Sequence, residues 1–302
     1  MLDILARAGC YIGIIILGYV LRQKGFFKED AFGVLAKIVI NLTLPASIIA
    51  SGAGRPMEAS MLLLSLLGMG GGVLYILAAL IFNRRAGADT KAFSVVNTAG
   101  YNIGTFAMPF AAGFLGPVGV QATGVFDVGN AFVVFGGSYG VARAAKEGGK
   151  MDVLRVLKAP FRSVPFVTYL TMVILNLNSW TLPKPVMELA GIIGNANAFL
   201  AMLMIGVGFK LSGDRSQLGR MLKILSVRFG LAAVLAVCFW HLPMFELTIR
   251  KTLVLLAFAP MASVSPVWTA ELKSDVGLSS AITSVSIIIS IVVMVTLLLI
   301  LP

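Results

Sequence analysis

The chain has 302 residues, 58% of them hydrophobic and only 12% charged, with a formal net charge of +11 and a mean hydropathy of +0.95. A soluble domain of this length carries about twice that charged fraction, and apolar runs of ~20 residues, the length needed to cross ~30 Å of hydrocarbon, recur along the whole sequence. These features exclude a soluble globular protein, and the scatter of basic residues through short loops, rather than along one amphipathic face, excludes a nucleic-acid binder.

In chain order the apolar runs predict spans near residues 4–21, 31–53, 59–83, 90–115, 117–142, 156–177, 184–211, 217–241, 245–272 and 276–301. The opening "MLDILARAGCYIGIIILGYVL" has Asp3 and no Lys or Arg ahead of its apolar run. It is therefore expected to be a retained first helix rather than a signal peptide. Cys10 and Cys238 both fall in apolar stretches and read as small core residues.

Charge sets the direction. Arg22, Lys24, Lys28, Arg84, Arg85, Lys91, Arg143, Lys146, Lys150, Arg155, Lys158, Lys210, Arg215, Arg220 and Lys223 fall to one face under this assignment. The other face has Arg7, Arg55, Lys184 and the Arg250–Lys251 pair. The positive-inside rule makes the first face cytoplasmic, and an even number of spans puts both termini outside the cytoplasm.

The polar stretch "RAAKEGGKMDVLR" at 143–155 separates five spans from five. Because five is odd, the second set must run inverted, as in many secondary transporters. The predicted architecture is thus an all-α polytopic membrane protein of two inverted five-helix repeats, 1–147 and 148–302. Internal matches agree with it. Asn41 and Pro45 of "INLTLP" in the second span correspond to "GNANAF", with Asn195 and Asn197, in the seventh. Pro109 in the fourth span corresponds to Pro266 in the ninth at nearly the same distance from those asparagines.

A proline inside a helix lacks an N–H and crowds the turn before it, and in lipid the freed carbonyls need protein or cavity water. Matching prolines in inverted halves therefore predict two discontinuous helices meeting near the midplane. Each end there carries roughly half a unit charge. Asn102, Ser263 and Ser265 stand beside these expected helix breaks at Pro109 and Pro266, placed either to cap the ends or to touch a ligand. A single proline would more often be a structural kink; the matched pair favours a site.

The stretches "VINLTLPASII" at 39–49, "NIGTFAMPF" at 102–110, "GVFDVGNAFV" at 124–133 and "SVSPVWTAE" at 263–271 resemble the auxin efflux carrier family, over the whole chain and in the right order. That family includes plant auxin exporters and bacterial transporters of malonate, malate and similar carboxylates. The resemblance implies the bile-acid-symporter-like fold, with crossed broken helices in spans four and nine. It also implies a scaffold domain from spans 1, 2, 6 and 7, and a transport domain from spans 3–5 and 8–10 that moves as an elevator. Asn102 stands at the spacing at which plant members bind the substrate carboxylate, seven residues before the proline, and Asn130 matches a polar residue assisting from the fifth span. Asn41, Asn195 and Ser265 complete the candidate substrate contacts. The resemblance further implies a bacterial inner (plasma) membrane location, with a homodimer through the scaffold domain left open.

Asp127 is the one acid deep in an apolar run, where an unpaired carboxylate costs several kcal/mol. It is either the site of a coupling proton or cation, or a structural acceptor for broken backbone. Arg7 and Arg228 read as side chains that snorkel to headgroups, and His241, beside Trp240, as interfacial. Lys37, one turn before Asn41, has a lesser claim on an anionic substrate.

With a single His and no HExxH or GxSxG, the sequence does not read as an enzyme, and no metal site or cofactor is expected. The expected partners are a small organic anion, protons and the lipid bilayer. No carboxylate cluster marks a Na⁺ site, so proton coupling or potential-driven uniport is expected. An ion or small-solute channel is the alternative, since broken helices also line pores.

Overall fold

The computed structural model describes residues 2–28, 30–52, 58–149, 151–209 and 217–302. Arg55, Lys150, Lys210 and Arg215, used above in the charge argument, lie outside the described residues. The described chain is all helical. Among the described residues, seven helices are long and apolar enough to cross a bilayer: α1 (Leu2–Gln23), α2 (Ala31–Gly52), α3 (Ser60–Phe82), α6 (Gly116–Glu147), α9 (Lys184–Gly208), α10 (Leu218–Trp240) and α13 (Val276–Ile300). Between them lie α4 (Ala88–Val96), α5 (Ile103–Phe114), the short α7 (Val153–Lys158), α8 (Val164–Leu177), α11 (Leu247–Ala257) and α12 (Ser265–Glu271).

The differences from the sequence expectation have local causes. The expected span 156–177 is divided, because Pro160 and Pro165 each start a new helical segment and leave α8 only 14 residues long. The polar stretch after 142 remains helical to Glu147, held by the Arg143–Glu147 pair one turn apart at 2.9 Å, and ends at Gly148 with φ 70°. In α2, Pro45 has no N–H to offer a carbonyl one turn earlier; the helix widens into a π turn over Val39–Thr43 and then continues.

Leu66, Leu77, Ile81, Val234, Val237 and Val292 point outward and are exposed, while Asn97, Asn102, Asn130, Thr269, Ser279 and Arg228 are buried. This inversion of the soluble pattern fits a chain solvated by lipid, whose backbone breaks must be satisfied internally. Cys10 and Cys238 are exposed on the outer faces of α1 and α10, contrary to the core placement expected from their apolar neighbours. An apolar run that faces lipid on one side gives no hint of which side a cysteine occupies.

One group of helices packs α1 along α9, with α2 against both α8 and α9. Close approach in this group requires glycine: a Cβ on Gly206 would lie 2.0 Å from the Ile15 carbonyl oxygen, and one on Gly18 would lie 2.5 Å from that of Leu203. A second group packs α3 and α4 against α6, α10 against α11, and α12 against α13. Polar ties gather the basic helix ends. Lys146 pairs with Asp89 at 2.7 Å and donates to the Leu272 carbonyl. Lys223 donates to Phe82 and Asn83, and Arg22 to Val207 and Phe209. Arg7, at the other end of α1, donates to the Gly113 carbonyl.

Candidate substrate site at two crossing unwound segments

Between α4 and α5 the chain unwinds over 97–102, and between α11 and α12 over 258–264. The two segments touch: the Asn102 N–H donates to the Pro260 carbonyl at 2.9 Å. Gly100 makes the first break possible, with φ 78° and a position where a Cβ would meet Val134 at 2.6 Å. Pro109 lies beyond the unwound residues, near the start of the regular part of α5 and just after a π turn over Ile103–Ala107. Pro266 sits in the first turn of α12, where a missing N–H costs no helical bond.

Each break is held by side chains. Asn130, from α6, donates to the Tyr101 carbonyl and accepts from the Tyr101 N–H, both at 3.0 Å, as an extra strand of backbone would. Its Nδ2 also donates to Asp127 Oδ1 at 2.8 Å. Asn97 donates to the Phe93 carbonyl and to Thr269 Oγ1 at 2.9 and 3.0 Å, and the Ser279 hydroxyl donates to Asn97 Oδ1. This buried network joins α4 to α12 and α13. Arg228 donates to the carbonyls of Thr98, Ala259 and Pro260, and so binds both unwound segments.

A cavity of about 1160 Å³ runs from this crossing to the 143–162 region. Asn41, Asn102, Asp127 and Asn130 all line it, as do Ser263 and Val264 of the second unwound segment. Trp268 forms part of the wall, fixed by its Nε1–H to the Val134 carbonyl at 2.9 Å and by Tyr139, ring centres 5.0 Å apart. The outer rim carries Arg143, Arg155, Lys158 and Arg162 against Glu147, Asp152 and Glu271, a small positive excess. Asn102 Oδ1 accepts from the Thr105 hydroxyl, which leaves its Nδ2 without a protein partner among the described residues, at the cavity wall. Asn41 Nδ2 returns to the Lys37 carbonyl at 2.9 Å, and Lys37 itself is not a lining residue.

Asn195 and Ser265 are not among the lining residues. Asn195 is exposed, and its neighbour Asn197 is the buried one, accepting from the Thr43 hydroxyl at 3.0 Å. Ser265 is buried at the start of α12, its carbonyl accepting from Thr269.

The snorkelling assignment of Arg228 is overturned: the side chain is only 1% exposed. The signal was available, since Arg228 stands about 15–18 Å from either end of α10, beyond the reach of its side chain. Arg7 is exposed, near its helix end. The structural weight of Asn97 also escaped sequence reading. Among the described residues no three of His, Cys, Asp or Glu gather in a way that would hold a metal ion.

The profile of the membrane transport protein family matches residues 11–154, which includes the first unwound segment, Asp127 and Asn130. An uncharacterised transporter of the archaeon Methanothermobacter thermautotrophicus is 26% identical over 284 residues, covering 92% of each chain. With apolar helices around the polar contact of the two unwound segments, and with similarity to a transporter extending along nearly the whole sequence, the chain is a membrane transport protein, similar to this family over residues 11–154.

Proposed function

We propose that the protein is a transporter of small organic anions, of the size of malonate or malate, that binds the carboxylate at the crossing. The observation that carries this reading is the Asn102 amide. It faces a cavity reaching the crossing with donor N–H groups that no described protein group accepts. A buried polar group is normally paired, so a spare donor at a cavity wall suits a ligand acceptor. The start of α5 adds its positive helix end.

Asp127 lines the same cavity. Two negative charges in a weakly polar cavity repel, so an anion binds best when Asp127 carries a proton. This gives anion–proton symport a physical basis, with Asn130 linking the acid to Tyr101, the neighbour of Asn102. In this reading the helices form ten spans as two inverted repeats. The two packing groups correspond to a scaffold of spans 1, 2, 6 and 7 and a moving domain of the rest, working as an elevator. The basic face is cytoplasmic, the membrane is the plasma membrane, and the cavity opens inward.

A thermal-shift screen of the purified protein against mono- and dicarboxylates, with and without Na⁺, tests the substrate class. A ligand at 100 times its Kd stabilises by ~2.7 kcal/mol. Small carboxylates should therefore raise the unfolding midpoint by roughly 5–10 °C irrespective of Na⁺. Stabilisation by amines or neutral solutes, with none by carboxylates, would remove the anion assignment.

A further inference from the structure

Arg228 presents a buried charge with no acid to answer it. Among the described residues its guanidinium makes no ion pair. What surrounds it is backbone: Nη1 donates to the Thr98 carbonyl at 2.5 Å, and Nη2 to those of Ala259 and Pro260 at 2.8 and 3.0 Å. The rings of Tyr75 and Tyr101 lie 4.8 and 5.6 Å from its Cζ. These three carbonyls follow directly on the C-terminal ends of α4 and α11, which both point at the crossing. A helix C-terminus carries roughly half a negative charge, so two together amount to about one unit. One guanidinium matches that charge, and its planar fork reaches carbonyls on two different segments, as a point-like ammonium would not.

We propose that Arg228 is the built-in cation of the crossing. It does for the two unwound segments what a bound monovalent cation would do, and removing its head group leaves a carbonyl-lined site that a free guanidinium ion can occupy. Arg228 is thereby a positioning residue for the substrate site. The Pro260 carbonyl it holds also accepts from the N–H of Asn102, so its charge fixes where the Asn102 amide stands. It also leaves the positive start of α5 unopposed at the cavity, by neutralising the negative ends on the far side of the crossing.

The test does not depend on the transported substrate. The purified Arg228→Ala variant is melted in equal millimolar choline, sodium or guanidinium chloride, beside the wild type. Wild type should gain nothing from guanidinium over choline. The variant should melt roughly 10 °C lower in choline, because three buried carbonyls lose their donor, and guanidinium should recover at least half of that loss. A variant as stable as wild type, or one that guanidinium helps no more than choline does, overturns the proposal. If Arg228→Ala yields no folded protein, Arg228→Lys and Arg228→Met decide. Lys melting above Met supports the built-in charge, and Met equal to or above Lys refutes it. Since the readout is stability against cation, an inert carboxylate screen would leave this result standing, and the reverse.

Discussion

Replacing Asn102 with alanine is expected to weaken carboxylate binding by roughly 10- to 150-fold while leaving the unliganded protein close to wild-type stability. A hydrogen bond to a charged group is worth ~1.5–3 kcal/mol, which sets that range. The backbone contacts that keep the segment in place survive the change, since the Asn102 N–H to Pro260 and the Asn130 clamp on Tyr101 involve no Asn102 side-chain atom. Among the described residues, only the bond from the Thr105 hydroxyl to Asn102 Oδ1 is lost from the protein itself. If Asn102 instead serves purely to cap α5, the variant should lose about 0.5–2 kcal/mol of apo stability and keep its affinity. Measuring affinity and melting on one purified variant separates the two roles, and unchanged affinity rejects Asn102 as the carboxylate donor.

Asp127→Asn should remove the ability to use a pH gradient while preserving measurable binding. The substitution is isosteric, and the new carbonyl oxygen can still accept from Asn130 Nδ2, so the clamp on Tyr101 is retained. What is lost is the group that takes up the proton. With one proton carried per anion, each pH unit is worth ~1.4 kcal/mol, or about tenfold accumulation. The variant in proteoliposomes should equilibrate substrate without concentrating it, where wild type gains about tenfold per unit. A variant that accumulates as wild type does shows Asp127 to be a structural acceptor. Loss of folded protein would point the same way.

The sequence made some layers of this molecule easier to read than others. Apolar runs such as 60–82 and 276–300 declare themselves, because a lipid-facing helix must be apolar over most of its surface. The existence of two breaks was also legible, but the place of the first was not. Proline marks where an N–H can be spared, whereas the chain turns aside at Gly100, and glycine is too common in membrane helices to single out one position. Asp127 stands out because acids are rare in apolar runs, Asn102 by its place before the proline of an expected break, and Asn130 through the family resemblance alone; the cavity brings all three together. Their division of labour was not legible: that Asn130 spends its amide on the backbone of Tyr101, while Asn102 keeps donors to spare, is decided by contacts 29 residues apart. Arg228 was misread because a long cationic side chain in a span has two outlets, the headgroups or the interior. Its depth in α10 decides for the interior, and the carbonyls freed by two breaks far away in sequence provide its partners.

The most direct measurement is uptake of labelled malonate and malate by proteoliposomes containing the purified protein, over a range of substrate concentrations with and without a pH gradient. A carrier that binds its anion at the crossing should show saturable uptake, competition among small dicarboxylates, and accumulation against a gradient when a proton gradient is applied. Flux that rises in proportion to concentration without saturating would indicate a channel, and flux no greater than that of protein-free liposomes would contradict carboxylate transport.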